Sequence, residues 1–310
     1  MTDASARRPL REVSSEEMKE VLEEHRKWLE SKEKEGRQAV LIQANLCRGE
    51  LRRCNLRGAI LAEANLEGTD LYNANLQGVS LLKVELQNAI LPEANLEAAF
   101  LSNAQLQKAI LTRANLRRAS LFKVQLQRAV LVRANLQEAF LRGANLTQAN
   151  LFWTRLQGAY LRDADLQGAN LNLANLQGAE LISAQLQDTI LIRANLRRAD
   201  LHGAQLQRAN LDKAQLHGAS LIEANLLGAD LRGAIGLAPS QVESAKNGEL
   251  AYYSRDFLKK LGLPPDHNKR LPGTAAEFEK KEMVTDQNPR PGTRRRKSFR
   301  PIFLFRVVRE

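Results

Sequence analysis

Residues 159–178 read AYLRDADLQGANLNLANLQG, and this stretch contains the pattern that decides the fold. Leucine occupies every fifth position, and alanine stands two residues before each leucine. The same register runs without interruption from Leu41 to Leu231, which makes 39 leucines. Wherever the residue two places before a leucine is not alanine, it is still compact. These exceptions are Gly49, Cys54, Thr69, Val79, Val84, Val124, Thr154 and Thr189.

A strict period of five residues excludes the two ordinary ways of burying a leucine set. On an α-helix, every fifth residue advances about 140° beyond a full turn, so the leucines would wind around the whole surface. On a flat strand, an odd period sends alternate leucines to opposite faces. The pattern therefore predicts a chain that coils around its own leucines, with an extended in–out–in segment followed by a turn, and coils that stack like strands of a sheet.

The repeated unit resembles that of a known family. Ala64–Gly68 reads ANLEG, Ala74–Gly78 reads ANLQG and Ala164–Gly168 reads ADLQG, all of which resemble the A-(N/D)-L-x-x motif of pentapeptide repeat proteins. The resemblance implies an all-β solenoid, namely a right-handed, four-sided parallel β-helix with four repeats per coil. On that expectation, 39 repeats make just under ten coils.

The chain divides into four predicted regions. Residues 1–38 comprise a mobile N-terminus and an amphipathic helix that begins near Ser14 and caps the first coil. Residues 39–235 form the β-helix. Residues 236–263 form a C-terminal cap of short helices, the first introduced by a capping box of Ser240 with Glu243. Residues 264–310 form a flexible basic tail with a terminal apolar, strand-like segment.

Charge and cysteine content set expectations about location. The net charge is +11, and residues 236–310 contain 16 Lys and Arg against nine Asp and Glu, so much of the surplus lies near the C-terminus. Cys47 falls on an outward position and Cys54 on an inward one, so no disulfide is expected. No apolar run approaches the roughly 20 residues of a membrane span, and the first residues do not resemble a signal peptide. A cytoplasmic protein is the expectation.

Apolar residues at outward positions predict a contact surface. One predicted face stacks aliphatic and aromatic residues beside a cationic edge, and stacked apolar groups of this kind are typical of interfaces. The predicted partner-binding residues are Ile110, Arg113, Val130, Val132, Arg133, Phe152, Trp153, Leu173, Ile190, Ile192 and Arg193. The opposite face stacks Ile60, Leu82, Phe100, Phe122, Phe140 and Tyr160. Packing between neighbouring strands and cover by the chain's own tail are alternative explanations.

A basic run near the C-terminus is a second candidate site. It comprises Arg294, Arg295, Arg296, Lys297 and Arg300 and could bind the phosphates of a nucleic acid or an anionic membrane surface. A simple solvated tail is the alternative. The apolar run 301–308 that follows could add as a strand to an edge or an apolar surface.

The sequence contains no catalytic constellation, P-loop, dinucleotide fingerprint or metal-ligand spacing, so we expect no enzyme, cofactor, metal or small-molecule substrate. The leading hypothesis is a non-catalytic scaffold that binds another protein or itself. One branch of the family resembles DNA and modulates DNA gyrase, which requires an acidic surface. Residues 41–235 contain 21 Lys and Arg against 16 Asp and Glu, so this alternative is disfavoured.

Overall fold

The leucine repeat winds into a four-sided coil. The structure, a computed structural model, describes residues 10–271. Parallel β-bridges join each residue that precedes a leucine to the residue 20 positions later, as in Asn75↔Asn95 and Ile90↔Ile110. Four repeats therefore complete one coil. We number the four sides by their first leucines: face 1 contains Leu41 and every twentieth residue after it, and faces 2, 3 and 4 start likewise from Leu46, Leu51 and Leu56.

Each coil satisfies the backbone polar groups of its neighbours. The Leu46 N–H donates to the Asn65 carbonyl at 2.8 Å, and the Asn65 N–H donates to the Ala44 carbonyl at 2.9 Å. The same pair of bonds recurs at successive repeats along the rod. A buried N–H or C=O group without a hydrogen-bond partner costs free energy. Because the ladder pairs these groups, an extended segment of only three residues per side is stable.

The interior is a column of leucine with small residues between the layers. Every leucine of the five-residue repeat from Leu56 to Leu226 is at most 1% exposed, and the alanines two residues before these leucines are buried with them. Where threonine replaces alanine, its hydroxyl finds a backbone acceptor: Thr154 Oγ1 donates to the Leu131 carbonyl at 2.9 Å. The leucine and the small residue two places before it therefore both point inward, as predicted.

All corners but the last use a left-handed residue. The second residue after each leucine has positive φ at all 38 corners from Gln43 to Gly228, and the Ala44 N–H returns to the Leu41 carbonyl at 3.2 Å. Positive φ at the third of four residues is the signature of a type II turn. No valine, isoleucine or threonine stands at this position, which agrees with the steric cost of a branched Cβ in that region.

The first coil is covered by a short strand and a helix. Strand β1, Arg11–Glu12, pairs in parallel with β2, Ala44–Asn45. Helix α1, Ser15–Glu30, follows and is capped by the Ser14 hydroxyl, which accepts from the Glu17 N–H at 3.1 Å. The prediction that residues 1–13 are all mobile is therefore wrong for β1, because the open edge of the first coil offers hydrogen-bonding groups that β1 satisfies.

His25 connects α1 to the rod. Its side chain is 0% exposed, and its Nδ1 accepts a hydrogen bond from the Ala39 N–H at 3.1 Å. Burial lowers the pKa of His25, because an imidazolium there would lose its hydration. Protonation at Nδ1 would also point the new imidazolium N–H at the Ala39 N–H, and the hydrogen bond between them would be lost. Neutral His25 is thus part of the contact that holds α1 over the first coil.

Acidification is expected to loosen α1. Because the pKa of His25 is lower in the folded state, the unfolded chain binds the proton more readily; the stabilisation is complete above about pH 6.5 and is lost as the pH falls through the folded-state pKa. Hydrogen exchange of the α1 amides, corrected for intrinsic rates, should accelerate between pH 7.5 and pH 5. A His25→Leu variant should lose this response, and His202→Gln, on the exposed turn of face 1, should retain it. An unchanged response in His25→Leu would contradict the assignment.

The C-terminal cap extends the ladder beyond the last repeats. Its elements are α2, Pro239–Glu243, a 3-10 turn, Gly248–Leu250, α3, Arg255–Lys260, and α4, His267–Arg270. The Lys246 N–H donates to the Ala224 carbonyl at 2.8 Å, and the Tyr252 N–H donates to the Ala229 carbonyl at 2.9 Å. The Ala224 and Ala229 carbonyls of the last coil are therefore occupied.

Two sequence predictions about this cap need correction. Ser240 does not cap α2: Pro239, which is well suited to the first helical position, starts the helix at that residue, and the Gln241 side chain accepts from the Ala238 N–H at 2.7 Å. The tail does not start at residue 264 either. His267 is buried with its Nε2 3.1 Å from the Ala251 carbonyl, so residues up to 271 pack with the cap. None of the helices in residues 10–271 is both long and apolar enough to span a membrane.

Candidate interaction surface

Faces 2 and 4 are polar, and many of their amide side chains bond to one another, although the buried Oε1 atoms of several glutamines, such as Gln107 and Gln157, have no partner within the described residues. On face 4, the Asn115 amide donates to Asn95 Oδ1 and the Asn135 amide to Asn115 Oδ1, both at 3.1 Å, so stacked asparagines form a ladder along the rod. The stacked glutamines of face 2 bond in a different way. Gln107 donates to Gln105 Oε1 at 2.8 Å within one coil, because the longer side chain reaches across the turn.

Face 1 carries a column of aromatic rings. Phe140 and Tyr160 stack with their centroids 4.9 Å apart and their planes 2° from parallel. Lys123 lies over the Phe122 ring at 5.2 Å. The aromatic residues predicted to share a face therefore do so, and two of them, Phe140 and Tyr160, stack on each other along the column.

Face 3 contains the predicted partner-binding residues. The bridges Ile90↔Ile110 and Ile110↔Val130 place these side chains in one outward column. The other predicted partner-binding residues also lie on face 3. Their role in binding stays a prediction. We call the outward side chains of face 3 from Ile90 to Arg193 the central patch.

Along the rod, the apolar side chains of the central patch change from the column that precedes the leucines to the turn positions that follow them. Asn150 and Asn170 interrupt the first column, and each uses its Oδ1 to accept the N–H two residues later, at 3.1 and 3.0 Å. In the same coils, Phe152, Trp153 and Leu173 supply the apolar groups at the turn. Trp153 is 52% exposed and Leu173 is 38% exposed. The apolar surface therefore continues through the asparagines instead of ending at them.

Trp153 is held by an arginine from the coil before it. The Arg133 guanidinium carbon lies 4.5 Å from the centroid of the Trp153 ring, which is cation–π geometry. Both residues occupy the left-handed turn position, with φ of 58° and 55°. Arg193 stands two coils further along the same column, beyond Leu173. The 20-residue coil places Arg133 beside Trp153, whereas the stacking of the guanidinium on the ring depends on side-chain rotamers and was not predictable from the repeat.

Charges divide face 3 into three sections. Near the N-terminal end, Arg52 pairs with Asp70 at 3.5 Å, and near the C-terminal end Arg232 pairs with Asp230 at 2.7 Å. Between them, the central patch contains Arg113, Arg133 and Arg193 against one carboxylate, Glu93, which pairs with Arg113 at 3.5 Å. The central patch is therefore apolar and cationic.

Sorting residues by the 20-residue coil also shows a feature that the sequence analysis missed. Face 4 has six outward arginines and two glutamates, so it holds most of the rod's surplus of positive charge. The sequence contained this information, because the net charge of +5 for residues 41–235 can be divided among the four faces once the coil length is known. The face 4 arginines are Arg57, Arg117, Arg118, Arg155, Arg197 and Arg198.

The remaining candidate site lies beyond the described residues. The basic run Arg294–Arg300 and the apolar run 301–308 fall outside residues 10–271. Within residues 10–271, no cluster of histidine, cysteine or carboxylate residues has the arrangement of a metal site.

These features define the class of protein. The fold is a parallel β-solenoid whose side chains divide into an aliphatic interior and a display surface. The sequence profile described as pentapeptide repeats matches with 8 copies, over residues 39–78, 70–104, 80–118, 99–137, 125–163, 159–198 and 199–235. The chain belongs to the pentapeptide repeat family, whose fold is a right-handed β-helix and whose members are in general non-catalytic structural or interaction proteins.

Solved structures of the same family resemble the chain to different degrees. HetL, a pentapeptide repeat protein involved in heterocyst differentiation regulation from the cyanobacterium Nostoc sp. strain PCC 7120, is 39% identical over 65% of this chain and 86% of HetL, with a TM-score of 0.36. Rfr23 from the cyanobacterium Cyanothece 51142 is 30% identical over 32% of this chain and 64% of Rfr23, with a TM-score of 0.27.

A more distant likeness is to QnrB1, a plasmid-mediated fluoroquinolone resistance protein. A trypsin-treated variant is 19% identical over 64% of this chain and 93% of QnrB1, with a TM-score of 0.35. At that identity the likeness concerns the fold alone. Among curated proteins, none matches this sequence closely enough to be counted as a relative.

Proposed function

We propose that this protein is a non-catalytic scaffold that binds another protein, or a second copy of itself, through the central patch of face 3. The observation that carries the proposal is Trp153, a large aromatic residue that is 52% exposed and packs against the Arg133 guanidinium. Tryptophan and arginine are the residues most enriched where binding energy concentrates in interfaces. A preordered ring loses little entropy when a partner covers it.

The surroundings of Trp153 support the same function. Ile110 and Ile190 are 38% and 39% exposed, so the apolar surface extends to both sides of the ring. Large contiguous apolar surfaces on a soluble protein usually mark contact sites. Phe140 and Tyr160 on face 1 stack on each other and are 48% and 39% exposed, so what distinguishes face 3 is the tryptophan with its arginine, not greater exposure.

The gyrase-modulating alternative receives less support from the charges. A mimic of DNA needs a surface dense in carboxylates, whereas the central patch and face 4 are both cationic. A supercoiling assay with DNA gyrase tests it directly. Association of Arg294–Arg300 with nucleic acid or an anionic membrane is a separate hypothesis, tested by whether binding disappears in a chain cut after residue 271.

The test of the scaffold function is Trp153→Ala in the full chain. Alanine already occupies the equivalent turn position at Ala98, with φ of 54°, so the rod should accept the change. The control is Phe122→Ala on face 1, where the side chain is 39% exposed. Affinity purification from the source cells and analytical ultracentrifugation should show that Trp153→Ala weakens a partner or self-association by about 30-fold, the equivalent of 2 kcal/mol.

Phe122→Ala should leave the same association intact, and both variants should keep the circular dichroism of the parent. If Trp153→Ala retains every partner and the parent's mass in solution, the central patch is not the binding surface. Equal losses in both variants would also contradict the proposal, since they would show that face 3 has no special part in binding.

A further inference from the structure

The way the coils pair restricts what can bind to the central patch. Backbone N–H and C=O groups along face 3 bond to neighbouring coils, as in Leu111 N–H to the Val130 carbonyl at 2.7 Å. Each coil of the central patch is bonded to a coil on either side, as the bridges Asp70↔Ile90 and Ile190↔Asn210 show at its two ends. The central patch therefore offers no free strand edge, and a partner cannot bind it by adding a strand.

A partner on this face must satisfy its own backbone, and the simplest element that does so is an α-helix. Stacked strands are about 4.8 Å apart, so the six coils of the central patch span roughly 24 Å. A helix rises about 1.5 Å per residue and 5.4 Å per turn, so a helix of about 16 residues covers this length. The helix pitch exceeds the spacing between coils by only about 0.6 Å, so each helical turn lies beside roughly one coil. Over four turns this difference adds up to less than one coil spacing.

The charge of the patch selects the kind of helix. Arg193 is exposed at the corner of faces 3 and 4, and it makes no ion pair within the described residues. Arg133 lies over the Trp153 ring, with its guanidinium carbon 4.5 Å from the ring centroid, and is exposed at the same column of turns. A helix with glutamate or aspartate beside its apolar stripe would place carboxylates near both, whereas lysine would be repelled.

We propose that the partner of the central patch is an acidic amphipathic α-helix that lies along the rod. Its apolar side chains pack on Ile110, Val130, Phe152 and Leu173, and its carboxylates face Arg133 and Arg193. This inference rests on the proposed function and adds the chemical class of the partner to it.

The experiment uses the full chain and three stapled 16-residue helical peptides. The first has leucines on one face and glutamates beside them, the second has lysine in place of each glutamate, and the third has the composition of the first with its leucines dispersed. Binding is followed by the change in tryptophan fluorescence, to which Trp28 contributes a background that a Trp28→Phe variant removes, and by calorimetry at two salt concentrations. The variants are Arg193→Glu and, as a matched control on face 4, Arg198→Glu, since both arginines have φ of 55° at the same turn position.

The acidic peptide should bind at least about tenfold more tightly than the other two, and more weakly at high salt. Arg193→Glu should weaken it about tenfold and Arg198→Glu no more than about twofold. Equal binding of the lysine peptide, or equal losses in the two variants, would overturn the inference.

The failure of this inference is distinguishable from failure of the proposed function. If Trp153→Ala loses its cellular partner but no peptide is preferred, the scaffold function stands and the acidic helix is the wrong class of partner. If Trp153→Ala leaves both the cellular associations and acidic-peptide binding unchanged, the central patch is the wrong surface and both proposals fall.

Discussion

A Leu136→Ala variant is expected to lose about 3–5 kcal/mol of unfolding free energy, because the side chain is 0% exposed at the centre of the leucine column. The loss should lie at the upper end of the range for such substitutions. Leucines lie in the coils above and below, and the hydrogen-bonded walls keep the coils at a fixed spacing, so the cavity cannot readily collapse. Denaturant unfolding followed by circular dichroism measures the change.

The matched control is Gln137→Ala, one residue further along and directed outward. It should cost less than about 0.5 kcal/mol, as is usual for surface substitutions. A loss of under 1 kcal/mol in Leu136→Ala would mean that the coils relax around the missing groups, and the description of the interior as a rigid column would be wrong. Comparable losses in both variants would show that the inward and outward positions are not distinct.

Removal of the Tyr253 ring is expected to open the rod from its C-terminal end. Tyr253 is 1% exposed, and its hydroxyl donates to the Gly248 carbonyl at 2.7 Å. The ring also contacts Phe257 and His267, so it joins the 3-10 turn to α3 and α4. A Tyr253→Ala variant should lose about 3–5 kcal/mol of cap stability.

The location of the effect identifies its cause. In a solenoid, each coil contacts only its neighbours, so loss of a cap should raise hydrogen exchange first in the last coil, around Leu226, and leave Leu136 protected. Tyr253→Phe keeps the ring and should cost only about 1 kcal/mol, the value of one hydrogen bond. Uniform acceleration along the whole rod would show that the cap and the repeats unfold as one unit, contrary to this expectation.

The sequence predicted the repeat region well because one constraint dominates it. A leucine at every fifth residue has to point inward, and the outward columns follow once the coil length is known. That length came from the resemblance to the family, since the five-residue period alone predicts only a closed coil. With 20 residues per coil, Ile110 and Val130 had to lie side by side.

The regions that the sequence predicted poorly are those where single contacts decide the structure. β1 is two residues long, and its position depends on the open edge at Ala44–Asn45. The packing of α4 depends on one buried histidine, His267. The contact of Arg133 with Trp153 and the separate roles of asparagine and glutamine depend on side-chain length and rotamer, which the period does not specify.

The pairing of each residue with the one 20 positions later has a consequence for how such a chain can change in evolution. Insertion of a single five-residue unit would preserve every leucine inside the rod but rotate all downstream sequence by a quarter turn, so that Trp153 would leave the side shared with Ile110. Duplication of a complete 20-residue block would instead lengthen the rod and keep each side in phase. The rod can therefore change in length by whole 20-residue blocks while the side chains of each face stay aligned. A five-residue insertion between Ile110 and Trp153 would instead move Trp153 to another face without changing any side chain.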